Sequence, residues 1–107
     1  AGRTAADCTL AVAPPFLYAP PGGTVISSVR AGCATPARRI HVEAALTRDG
    51  VVVASARRDC RRATACWITT DASANDIPGD QVWCTTASAS ADGVDLGEQT
   101  ACETEEF

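Results

Sequence analysis

The chain has 107 residues and a formal net charge of −4, with nine basic side chains against thirteen acidic ones. That length predicts a single domain over residues 1–107, and no apolar run approaches the roughly 20 residues of a membrane-spanning helix. Leu, Ile, Val and Phe supply only 19 residues, which excludes a fold held by its apolar core alone against the entropy of the chain.

Period-two alternation recurs along the chain and helical periodicity does not, so the expected elements are strands. Cys8, Leu10 and Val12 alternate, and then PPFLYAPPGG interrupts. Two Pro-Pro pairs cannot sit in a central strand, so this stretch reads as an extended edge or crossover. TVISSVRAGC follows, with Val25, Ser27 and Val29 on one face. Ile40, Val42, Ala44 and Leu46 then alternate up to a Thr-Arg-Asp-Gly tip, beyond which VVVASARR runs back. An Asp-Gly pair between two strand-like runs signals a hairpin. Cys66 to Thr70 reads as a short strand, DASANDIPGD as a loop, and DQVWCTTASAS with DLGEQTACE as a last pair about Ala91-Asp92-Gly93. The fold expected is an all-β, antiparallel, disulfide-stapled sandwich of about seven short strands. The turn spacing favours an immunoglobulin-like arrangement, although an antibody-type Cys, Trp and Cys set is absent.

Six cysteines, Cys8, Cys33, Cys60, Cys66, Cys84 and Cys102, supply the missing stability. An even number in a small chain reads as disulfides and an oxidising compartment. Pairing between neighbouring strands favours Cys8 with Cys33, Cys60 with Cys66, and Cys84 with Cys102. The competing pattern ties Cys33 to Cys84. The chain contains no methionine and starts Ala-Gly, as expected of a secreted product after signal-peptide removal. All nine basic residues are arginine. With the abundant Ala, Asp, Thr and Gly and the six cysteines, the chain resembles small cysteine-containing secreted proteins of high-GC actinomycetes. Such organisms secrete small cysteine-containing adaptor subunits within larger toxin particles, and the resemblance implies that kind of role.

The stretch ARRDCRRATACW, residues 56–67, concentrates four arginines about two cysteines. With His41 the sole imidazole and no CxxC or HxxxH spacing, four zinc ligands do not assemble, and no metal or cofactor is expected. A cystine closing a hairpin tip is the plain reading. Arg61 or Arg62 in a constrained ring also has the look of a trypsin-inhibitor loop, although no named inhibitor family matches. His41 and Glu43 share one strand face, which admits a small hydrolase, but no nucleophile motif accompanies them.

Charge is strongly polarised. Residues 30–62 carry a balance of +5 and residues 71–107 one of −9. Nucleic acid is not expected as a partner, since the acidic half repels phosphate and stacking aromatics are scarce. Opposite patches either pair within the fold or leave a basic surface for docking. Phe16, Leu17 and Tyr18, between proline pairs, either fill the core or dock with a partner. Trp67 and Trp83 are expected to be core packing residues, and Glu103–Phe107 a solvated acidic tail. Together these features predict a secreted, non-enzymatic module that binds another secreted protein through Arg57, Arg58, Arg61, Arg62, Phe16 and Tyr18. The alternatives are an inhibitor of a trypsin-like protease and a small antibacterial toxin.

Overall fold

Residues 8–18, 23–73 and 79–105 of a computed structural model describe the chain. They form six strands and no helix: β1 (Cys8–Val12), β2 (Phe16–Tyr18), β3 (Thr24–Arg48), β4 (Val51–Ser73), β5 (Gln81–Ala91) and β6 (Val94–Glu105). Every pairing is antiparallel. The long strand β3 is the spine. β4 follows one of its edges from Thr24 to Arg48, while β2, β1 and β5 occupy the other edge in succession. β6 completes the sheet beside β5.

The all-β expectation is met, but the strands belong to one continuous six-stranded sheet curled into a half-barrel. The sequence reading of an immunoglobulin-like sandwich with about seven strands misplaces the breaks. It divides β3 into two strands and β4 into two. The reason is a corner. At Cys33–Pro36 the β3–β4 ladder skips, with Gly32 opposite Ala65 and Ala37 opposite Ala63. Pro36 has no N–H to give the ladder. Both long strands bend there and continue on the other side. The proline-flanked Phe16–Tyr18 segment is an edge strand, as its sequence suggests, pairing with Thr24–Ile26.

Bending brings the two arms of β3 face to face. Leu10, Val29, Ala31 and Ile68 from one arm cluster with Ile40, Val42, Ala44, Ala87 and Ala89 from the other. Farther from the corner, Val25, Leu46 and Trp83 form a second cluster, so residues 21 apart in sequence on β3 share one indole. Between the clusters, Ser27 Oγ lies 2.7 Å from Thr70 Oγ1 and accepts from Thr85 Oγ1 at 2.6 Å. This buried hydroxyl triad joins the arms without an unmatched polar group. The result is a rod of 54 × 20 × 17 Å with a Cα radius of gyration of 15.1 Å, longer than the roughly 13 Å of a compact 100-residue domain. The corner lies at one end and the β3–β4 turn at the other.

The three disulfides are those that strand adjacency favours: Cys8–Cys33, Cys60–Cys66 and Cys84–Cys102, with no free cysteine. They fit an oxidising environment. The first and third join directly opposed residues of paired strands, with Cα separations of 4.0 and 4.1 Å.

Both sequence-predicted hairpins are present as two-residue turns, Asp49-Gly50 and Asp92-Gly93, with positive φ at all four residues. That is the backbone Asp-Gly accepts at low cost. Each turn aspartate also extends a neighbouring ladder. Asp49 donates its N–H to the Val82 carbonyl and accepts the Val82 N–H on Oδ1, both at 2.8 Å. Asp92 does the same with Arg39, at 2.9 and 3.0 Å. Asp92→Ala is expected to cost about 1–2 kcal/mol through loss of the acceptor and of a residue tolerant of left-handed backbone. Asp92→Asn keeps both features and should lie within about 0.5 kcal/mol of wild type; urea midpoints of the two variants decide.

Candidate functional site

The corner holds the densest chemistry in the molecule. Six residues of extended strand span about 20 Å, yet the Cα atoms of Cys60 and Cys66 are 5.7 Å apart. The chain between them therefore turns back, with Arg62 in the left-handed region at φ 52°. The disulfide holds this turn closed and presents Arg61 and Arg62 at the surface. Arg57 and Arg58, just before the staple, are exposed as well.

Carboxylates do not neutralise this group. Of the eight described arginines only Arg39 makes an ion pair, from Nε to Asp59 Oδ1 at 2.9 Å. Arg30 and Arg48 lie over the rings of Trp67 and Trp83, at 5.3 and 5.7 Å. Arg38, Arg57, Arg61 and Arg62 have no ion pair among the described residues, and Arg58 donates to the Trp67 carbonyl at 3.3 Å. Several acids are engaged elsewhere. Asp49 and Asp92 accept backbone N–H groups at the hairpin turns and Asp95 that of Gly97 within β6, and Glu43 is held by His41. Glu43 and Arg57 are direct cross-strand partners, so the histidine draws away the carboxylate that would otherwise meet Arg57. Arg39 and Arg61 also face each other across the ladder, an arrangement disfavoured for like charges.

His41 and Glu43, paired on sequence grounds, do meet: Nε2 is 2.9 Å from Glu43 Oε2. The sequence reading missed the second carboxylate. Nδ1 lies 2.8 Å from Asp59 Oδ1, the cross-strand neighbour. Both hydrogen bonds favour the imidazolium, Glu43 most, and hold the His41 pKa above its ordinary 6.5. Arg39 first, then His41, lowers Asp59 from 3.8 to about 2. A histidine with both nitrogens engaged by carboxylates is an ionic clasp between β3 and β4.

The pH dependence follows. Asp59 contributes stability above its unfolded value of 3.8 and loses it as pH falls toward about 2. His41, with its folded pKa raised, contributes fully below 6.5 and loses its share as pH rises through the higher folded value. Thermal midpoints are therefore expected to fall from pH 6 toward pH 9, and His41→Gln should flatten that limb. An unchanged slope in the variant would remove the clasp from the account.

Other expected site residues scatter. Phe16 is 49% exposed on the outer face of β2, at the far end of its arm from the corner. The Tyr18 side chain and residues 106 and 107 lie outside the described residues. Glu103–Glu105, expected in a solvated tail, are strand residues of β6 opposite Trp83, Val82 and Gln81. The two tryptophans differ. Trp83 is fully buried as expected, but Trp67 is 55% exposed. In β4 Cys66 takes the inward position, which turns Trp67 outward; in β5 Trp83 is inward and Cys84 is not. Alternation revealed the opposition within each pair but not which member faced the core.

An open trough of about 690 Å³ runs along the outer face, floored by small side chains including Ala45, Ser55 and Ser88 and edged by Glu43, Arg57 and Glu98. Among the described residues no three His, Cys, Asp or Glu side chains converge as metal ligands, and no helix is long and apolar enough to cross a membrane. Fold and site define a small disulfide-stapled all-β protein with a basic corner. No protein-family model matches the chain, and no curated protein matches its sequence.

Proposed function

We propose that the protein is a secreted, non-enzymatic binding module that docks another secreted protein through its arginine-rich corner, as an adaptor or accessory subunit of a toxin-like assembly. The observation that carries this reading is the absence of internal neutralisation. Arg61 and Arg62 at the corner, and Arg57 and Arg58 farther along β4 opposite Glu43 and Val42, have no carboxylate partner among the described residues. Unpaired charge of one sign steers a complementary surface and fixes its orientation. The disulfides support an extracellular location. The face-to-face arms of the sheet support a sandwich-like, immunoglobulin-style reading of the fold, with the corner as its closed end.

Two features weigh against the other readings. A protease-inhibitor loop is an extended segment held ready for the enzyme, whereas Arg62 is left-handed and Arg61 stands in the ladder opposite Arg39. For hydrolysis His41 would need a nitrogen free to take a proton, and both are engaged.

The test is capture from the producing organism's culture fluid by the immobilised protein, beside a variant with the four arginines changed to glutamine. Retention by the wild type should weaken as salt is raised and be lost in the variant. Equal retention by both would overturn the docking reading. Equimolar incubation with trypsin should leave the enzyme uninhibited.

A further inference from the structure

We infer that Trp67 is the anchor of the corner surface and that its partner presents a short acidic segment carrying an aromatic side chain. This inference rests on the docking reading and adds to it the anchor and the partner's chemistry.

Trp67 is held in place although it serves no core. The Arg30 guanidinium lies 5.3 Å over its ring from the opposed position on β3, and Arg58 bonds its carbonyl. Gly32 makes the Arg30 pose feasible. A Cβ there would stand 2.5 to 2.9 Å from the guanidinium atoms, so the missing side chain lets Arg30 lie flat across the strand toward the indole. An exposed tryptophan whose ring Arg30 covers and whose backbone carbonyl Arg58 holds has less freedom to lose on binding, and Trp with Arg is the chemistry that dominates protein interfaces.

The partner's character follows from what surrounds this anchor. The indole offers an apolar and π surface, Arg30 and Arg58 touch the same residue, and Arg61 and Arg62 stand in the disulfide ring that ends at Cys66, just before it. Their guanidinium groups match carboxylates bidentately. β4 pairs only with β3 among the described residues, so its other edge is free beside these arginines. Charges that guard an edge against indiscriminate pairing select an acidic strand instead. The segment must be short. Residues 71–107, with a balance of −9, repel a long polyanion, and attraction from the corner fades over the screening length of about 8 Å at physiological salt.

The test uses a dye-labelled peptide of alternating glutamate and tyrosine, its glutamine-tyrosine twin, and a heparin oligosaccharide of equal charge, followed by fluorescence anisotropy. The acidic peptide should bind saturably to the wild type and the twin should not. Trp67→Ala should weaken binding at least about 30-fold, and Gly32→Ala should weaken it several-fold by displacing Arg30, with thermal midpoints unchanged in both. Equal peptide binding by Trp67→Ala, or tighter binding of heparin than of the peptide, overturns the inference. Capture of a culture-fluid protein by Trp67→Ala as well as by wild type overturns the anchor and leaves the docking reading standing. The four-arginine variant tests that reading separately.

Discussion

Reduction of the three disulfides is expected to unfold the protein at 25 °C. The paired cysteines stand 25, 6 and 18 positions apart in the chain. By loop-closure entropy they contribute roughly 3.5, 2.4 and 3.2 kcal/mol, about 9 in all. Net stabilities of small domains lie at about 5–15 kcal/mol, so even half of that sum is decisive for so thin a core. The buried set contains one large aromatic, Trp83, and many alanines. A melt followed by circular dichroism with and without reductant provides the measurement. A sharp transition persisting in reductant near the oxidised midpoint would mean that packing alone holds the sheet. Taken singly, replacing Cys8 and Cys33 by serine should lower the midpoint most, because that loop is longest. Replacing Cys60 and Cys66 should cost least in stability yet loosen the arginine corner, and so affect capture more than melting.

The disulfide pattern was legible because adjacent strands leave few partners for each cysteine. Both Asp-Gly turns were legible because their chemistry is local. The continuity of β3 and β4 was not. Pro36 and the cysteine ring between Cys60 and Cys66 are ordinary strand-ending signals, and only tertiary pairing carries a strand past them. Alternation at Val25, Ser27 and Val29 located an inward face correctly, hydroxyl included, since Ser27 finds Thr70 and Thr85 in the interior. Alternation could not say that Trp67 faces outward, because both faces of its segment looked equally poor in bulk. The His41–Glu43 pair was visible as two residues on one strand face. Asp59 was not, since its place beside His41 depends on the β3–β4 register. Charge segregation was plain in the sequence. Whether it cancelled within the fold depends on the strand register, which gives a carboxylate partner to Arg39 alone among the described arginines.

Trp83→Ala should be the most damaging single substitution of a non-cysteine residue, at about 3–5 kcal/mol. Its ring is fully buried and touches a cluster that draws Val25 from one arm of β3 and Leu46 from the other. Arg48 lies over it at 5.7 Å. No cystine ties the arms together at this end of the rod: Cys8–Cys33 and Cys60–Cys66 lie toward the corner, and Cys84–Cys102 joins β5 to β6 within one arm. Apolar contact therefore carries the closure here, and a cavity in place of the indole lets the arms part from the open end. Trp67→Ala is the matched control, a tryptophan lost from the surface at a cost within about 0.5 kcal/mol. Urea midpoints should separate the two widely. If Trp83→Ala costs no more than Trp67→Ala, the arms are not held by this cluster, and the rigidity that the docking corner needs must come from the disulfides alone.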